Sequence, residues 1–149
     1  MKKRFIAAFV VCALCFLASC DGSTHYKVPD GFYASSEHFD QEGFKDYTDY
    51  CEYYYDESSA KKFERNHNYS PVTKENVTEL KKFFENFSGW IRYKKGYEEW
   101  FSFKAEEQMN ETDYFFVEII DPDHGKFHNY NIGYFDTETY TLYFFHNNS

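Results

Sequence analysis

Asp121, Asp123, His124 and His128 form the densest cluster of metal-capable side chains in this 149-residue chain. His124 and His128 stand four apart, the spacing at which two imidazoles on one helix face can share a metal ion. Pro122 and Gly125 oppose a helix here, so the spacing loses that meaning. Asp121 and Asp123 also match the first two ligands of a calcium loop. That loop needs Gly at its sixth place and Glu at its twelfth, where this chain has Lys126 and Ile132. Asp121-Pro122-Asp123-His124-Gly125 reads instead as a turn between strands. No metal and no cofactor is expected, and these four residues are the weak candidates for a cation.

The other chemistry-bearing groups are carboxylates and one thiol. Asp49, Glu52 and Asp56 fall at spacings of three and four, which would place them on one face of a helix. Such a face could supply paired carboxylates for acid–base work on a sugar, and a solvated helix face explains it equally. Glu118 stands among apolar residues in YFFVEII. Pointing inward, its pKa would rise and it would be a candidate acid; pointing outward, it is an ordinary edge charge. Cys51 reads as a small buried apolar residue. The chain has no Gly-rich phosphate loop, Gly-x-Ser-x-Gly elbow or His-Glu-x-x-His, so no catalytic residue is assigned.

The elements that would position these groups follow from periodicity. Residues 43–58 pass a helix test better than a strand test. Alternation would put Tyr47, Asp49, Cys51, Tyr53 and Tyr55 on one face and mix charge with apolar groups. Helical spacing collects Phe44, Tyr47, Cys51 and Tyr54 into a stripe, so a helix is expected. Val77, Leu80, Phe84, Phe87 and Ile91 repeat at three and four, and predict a core-facing helix within residues 70–90, with Thr73 as N-cap and Gly89 near its end. From Tyr97 the period becomes two. Strands are expected over 97–104, 114–120, 130–134 and 140–144, with turns at DPDHG and at Asp136–Thr139. The expected fold is α+β, with N-terminal helices packed on an antiparallel meander of about four strands.

The first residues carry a different message. Lys2, Lys3 and Arg4 precede an unbroken apolar run of 13 residues, Phe5–Leu17. A membrane-spanning helix needs about 20 apolar residues, whereas a run this short suits the core of a secretory signal. Leu17-Ala18-Ser19-Cys20 resembles the lipobox of bacterial lipoproteins. Cys12 and Cys15 follow the bulky Val11 and Leu14, so the resemblance selects Cys20 as the lipidated residue. It implies cleavage before Cys20 and a diacylglycerol on its thiol, and two acyl chains suffice for stable anchoring. Asp21 resembles an inner-membrane retention signal in enterobacterial lipoproteins. The expected location is the outer face of the cytoplasmic membrane. The implied organisation is a signal over 1–19, a lipidated N-terminus and tether over 20–30, and a single domain over 31–149.

Composition narrows the partners. The signal holds three of the 16 basic residues and none of the 25 acidic ones, so the mature chain carries a net charge of −12. That excludes a phosphate-binding surface and argues against nucleic acid. With Cys20 lipidated, Cys51 has no partner for a disulfide. Eighteen Phe, 15 Tyr and two Trp can build a core or a surface that binds sugars and proteins. The stretches DYTDYCEYYYD, KKFFENFSGW and YFDTETYTLYFFHNN resemble small lipoproteins of Gram-positive gut bacteria, a likeness that implies no activity. The expected role is non-enzymatic binding of a glycan or protein through aromatics exposed on the sheet. The alternatives are a small carbohydrate-active enzyme with paired carboxylates, or an envelope protein that docks a membrane complex.

Overall fold

The computed structural model of the chain describes residues 27–40 and 47–149. The expected signal segment, Cys20, the first part of the expected tether and Phe44 lie outside the described residues. Six strands form one antiparallel sheet: β1 (Phe32–Asp40), β2 (Tyr47–Tyr55), β3 (Ser70–Pro71), β4 (Tyr114–Ile119), β5 (Asn129–Asp136) and β6 (Thr141–Asn148). Their spatial order is β1-β2-β6-β5-β4-β3. Three α-helices, α1 (Glu57–Ala60), α2 (Val77–Ile91) and α3 (Ala105–Gln108), fall between strands. The α+β class holds, but the sheet has six strands rather than about four, and the helices follow the first hairpin instead of preceding the sheet.

The segment expected as a helix is β2. It lies between β1 and β6, and both of its faces are covered. A strand buried on both sides loses its alternating pattern, and the periodicity test then has nothing to detect. Tyr50 points into one core cluster, while Cys51, Tyr53 and Tyr55 point into the other. Residues 97–104, expected as a strand, form a 3₁₀ turn at Tyr97–Glu99 followed by irregular chain. Gly96 enters that turn at φ +74°. The alternating aromatics do not pair; Tyr97, Trp100, Phe101 and Phe103 all pack into the core beside α2.

Leu80, Phe83, Phe84, Phe87 and Ile91 give α2 its buried face, close to the stripe read from spacing. The helix starts later than expected, with Asn76 at its N-cap position, and runs past Gly89 to Ile91. It lies on Tyr50, Tyr130, Ile132, Tyr134 and Phe145 of the sheet. Phe103 wedges into the same layer, its ring 4.6 Å from Phe84, 4.9 Å from Tyr143 and 5.1 Å from Phe145. On the opposite face Phe63 stacks flat on Phe135 at 3.7 Å, with Tyr55 and Tyr69 edge-on to it at 5.1 and 4.9 Å. Each such aromatic pair adds about 0.5–1.5 kcal/mol beyond the area it buries.

The last residues of the expected tether belong to this second layer. Val28 packs into it. The Tyr69 hydroxyl donates to the Lys27 carbonyl at 3.1 Å, and the Tyr55 hydroxyl to the Pro29 carbonyl at 2.6 Å. Lys62 Nζ donates to the Asp30 carbonyl at 2.9 Å. Residues 27–30 are thus held against this layer by the Val28 side chain and three hydrogen bonds.

Gly133 of β5 lies under the Phe116 ring. A Cβ there would meet Phe116 Cε1 at 2.3 Å and Cδ1 at 2.7 Å. Gly133→Ala is expected to destabilise the domain by about 1–3 kcal/mol through overpacking, read as a lower urea midpoint with unchanged slope. A wild-type midpoint in that variant would show that the aromatic layer is loose.

Burial pushes the phenols of Tyr50, Tyr130 and Tyr134 above the usual range; the nearby Glu52 charge adds to the shift at Tyr50, and the hydrogen bond to Asp113 adds to it at Tyr134. The folded state thus holds phenolic protons that an unfolded chain releases near pH 10. Their contribution is fully present below about pH 10 and is lost as pH rises toward the raised values. Urea titrations between neutrality and strong alkali should show flat stability that falls beyond about pH 10; stability that rises with alkali would contradict it.

Candidate functional site

The residues singled out from sequence do not converge. Asp49 and Glu52 point to opposite sides of β2, because the side chains of a strand alternate. Asp56 lies beyond the strand and caps α1, accepting from Ser59 N at 2.8 Å and Ser58 Oγ at 2.7 Å. Those hydrogen bonds, that of Ser58 foremost, hold its carboxyl below the usual range. The acidic helix face is therefore dispersed. Asp121 Oδ2 and His124 Nδ1 pair at 2.8 Å on the surface, Asp123 is exposed, and His128 Nδ1 turns to the Ser149 carbonyl at 3.2 Å. Among the described residues no group of three or more His, Cys, Asp or Glu is placed to hold a metal ion.

Several buried polar groups bind the fold together. Fully buried Asp113 accepts from Asn110 N and from Thr137 N and Oγ1, each at 2.9 Å, and from the Tyr134 hydroxyl. It ties the chain ahead of β4 to the β5–β6 turn. Glu52 accepts from Tyr50 at 2.7 Å, from Ser102 at 2.5 Å and from Tyr54. Glu118 bridges Lys27 at 3.1 Å and Asn131 Nδ2 at 3.0 Å, and His146 Nδ1 donates to Asn131 Oδ1 at 2.6 Å. Cys51 is fully buried, and burial pushes its thiol up to about 12, so the thiolate needed for nucleophilic attack does not form near neutrality.

The aromatics expected on an open sheet face are mostly inside, because both faces are covered. Exposed ones stand on the edge strand β1, as Phe32, Tyr33 and Phe39, and at the end of α2, as Trp90 and Tyr93. At that helix end they border a concave site. The start of β2, the end of β6 and the last turn of α2 meet there in a groove of about 250 Å³. Tyr47, Trp90, Tyr93 and Lys94 stand around it, and Thr48 and Asn147 belong to its lining. The helix ends in tight turns, Tyr93 N to Trp90 O at 3.3 Å and Lys94 N to Ile91 O at 2.8 Å.

Thr48 and Asn147 are cross-strand partners in the β2–β6 ladder. They are 5% and 0% exposed, and Thr48 Oγ1 and Asn147 Oδ1 have no hydrogen-bond partner among the described residues. The Asn147 amide nitrogen is spent on the Phe127 and His128 carbonyls, at 3.3 and 2.9 Å. An unsatisfied buried polar atom costs about 1–3 kcal/mol, and these two belong to one cross-strand pair in the lining of the groove that Trp90 and Tyr93 border. Sequence reasoning missed all four residues. Thr48 and Asn147 meet only through a long-range ladder, and Trp90 borders a helix stripe that already looked complete.

Comparison with family models, with curated proteins and with solved structures finds no match to this chain.

Proposed function

We propose that the chain is a lipoprotein, anchored through Cys20 on the outer face of the bacterial cytoplasmic membrane, whose domain binds a glycan and performs no chemistry on it. The observation that carries the binding reading is the groove at the end of α2. It brings the exposed Trp90 and Tyr93 to the same groove as Thr48 and Asn147, whose side-chain oxygens have no partner among the described residues. A sugar ring offers both complements: apolar C–H patches for an aromatic face and hydroxyl donors for buried acceptors. The acidic balance of the chain favours an uncharged glycan over an anionic one. Dispersal of Asp49, Glu52 and Asp56 removes the carboxylate pair on which a hydrolase would have rested.

Titration of residues 21–149 with glycan and cell-wall fragments should perturb the emission of Trp90 but not that of Trp100, with Trp100→Phe assigning the signal. Trp90→Ala is expected to weaken binding about tenfold or more, equal to about 1.4 kcal/mol, and, with the residue 43% exposed, to lower the melting temperature less than Phe87→Ala in the core. A fragment that binds the Trp90→Ala/Tyr93→Ala double variant as tightly as wild type would place the site elsewhere. The anchor has its own test. In the full chain, Cys20→Ala should abolish labelling by an alkyne fatty acid, while wild type is labelled and fractionates with membranes. Labelling that persists in the variant would exclude Cys20 as the lipidated residue.

A further inference from the structure

β4 carries a second surface, at the opposite end of α2 and independent of the glycan reading. Its inner edge is laddered to β5 from Tyr114↔Phe135 to Ile119↔Tyr130. Among the described residues its outer edge is laddered only at the start, where β3 sets Pro71 opposite Tyr114 and Ser70 opposite Phe115. Two bonds fix the direction of the backbone groups. Val72 N donates to the Asp113 carbonyl at 2.9 Å on the outer side, and Ile120 N donates to the Asn129 carbonyl at 2.9 Å on the inner side. Peptide groups of successive residues point alternately to the two edges. Phe115, Val117 and Ile119 therefore face outward. Phe115 lies opposite Ser70, whereas Val117 and Ile119, paired with β5 on the inner side, have no ladder partner on the outer side among the described residues.

The side chains of these same three residues line a groove of about 360 Å³, closed on its other wall by Leu80 and Phe83 of α2. Natural sheets guard such an edge with Lys, Pro or a bulge. Here the edge ends in Ile119 and Ile120, 39% and 47% exposed. A row of outward N–H and C=O groups at strand spacing is matched by another extended backbone, and the adjoining groove takes every second side chain of that strand.

We propose that the outer edge of β4 binds an extended segment of a different polypeptide, added as a strand in line with β3, with apolar residues at alternate positions and a net basic charge. The backbone groups dictate a strand, and the apolar groove dictates the alternation. The charge argument disfavours a second copy: two chains of this acidic balance repel, and a basic segment does not.

The test uses residues 21–149 and a labelled, end-capped peptide of about nine residues, long enough for one strand, with Val alternating with Thr and Lys at both ends. Fluorescence polarisation should show saturable binding. Ile119→Lys should weaken it about tenfold or more, as a charge on an edge strand blocks pairing. Ile120→Thr, whose backbone faces β5, and Trp90→Ala should leave it unchanged. N-methylation of one alternate set of peptide nitrogens should abolish binding, while methylation of the other set leaves it intact. Equal effects of the two methylation patterns, or equal affinity of wild type and Ile119→Lys, would overturn the proposal. Self-association in sedimentation that Ile119→Lys abolishes would assign the edge to a second copy and overturn it as well.

Discussion

The fold depends on the ladder between β2 and β6. It runs from Tyr47↔Asn148 to Tyr54↔Thr141 and joins a hairpin near the start of the domain to a meander at its end. No element between them could make either core alone. One side of the ladder presents Tyr50 and Phe145 to α2, and the other presents Cys51 and Phe144 to the layer around Phe63. Pairing so far apart in sequence has a loop-closure cost that rises only slowly with length, and closure places both strands at the centre of a sheet covered on two sides.

That coverage explains where the polar groups go. A strand buried on both faces cannot send its charges to solvent, so Glu52 takes hydroxyl donors from Tyr50, Tyr54 and Ser102. Asp113 does the same at the other end of the sheet, with backbone and side-chain donors from two loops. Buried polar groups that are satisfied hold elements in register. The exceptions stand out against this background. Thr48 and Asn147 sit in the same ladder, yet each has an oxygen without a partner among the described residues, where three elements part to form a groove. The glycan reading rests on these two oxygens belonging to the lining of a groove that Trp90 and Tyr93 border.

The two proposed surfaces differ in kind. The groove by Trp90 is an end-of-layer gap with aromatic walls and polar floor residues. The β4 surface is an edge, left because the chain ahead of Ser70 bonds back on itself, Tyr69 N to Asn66 O at 3.0 Å, where a continued ladder would set Asn68 and Asn66 opposite Val117 and Ile119. A longer β3 would have covered Val117 and Ile119, so the short strand and the open edge are one feature.

Much of the architecture is legible residue by residue. The apolar spacing from Leu80 to Ile91 specifies α2, because one helix face is buried and the other is not. YFFVEII, the Asp136 turn and the last aromatic run specify β4, β5 and β6, whose residue types suit strands and whose turn residues stand where turns occur. Residues 1–20 carry the lipobox resemblance in local chemistry alone, which needs no tertiary context to read. The identity of β2, the irregular course of 97–104 and the pairing of Thr48 with Asn147 were decided by tertiary structure. Each depends on what lies on the far side of a residue: a second covered face erases alternation, a core beside α2 draws in aromatics that mimic a strand, and a cross-strand neighbour about a hundred residues away is invisible to any local period.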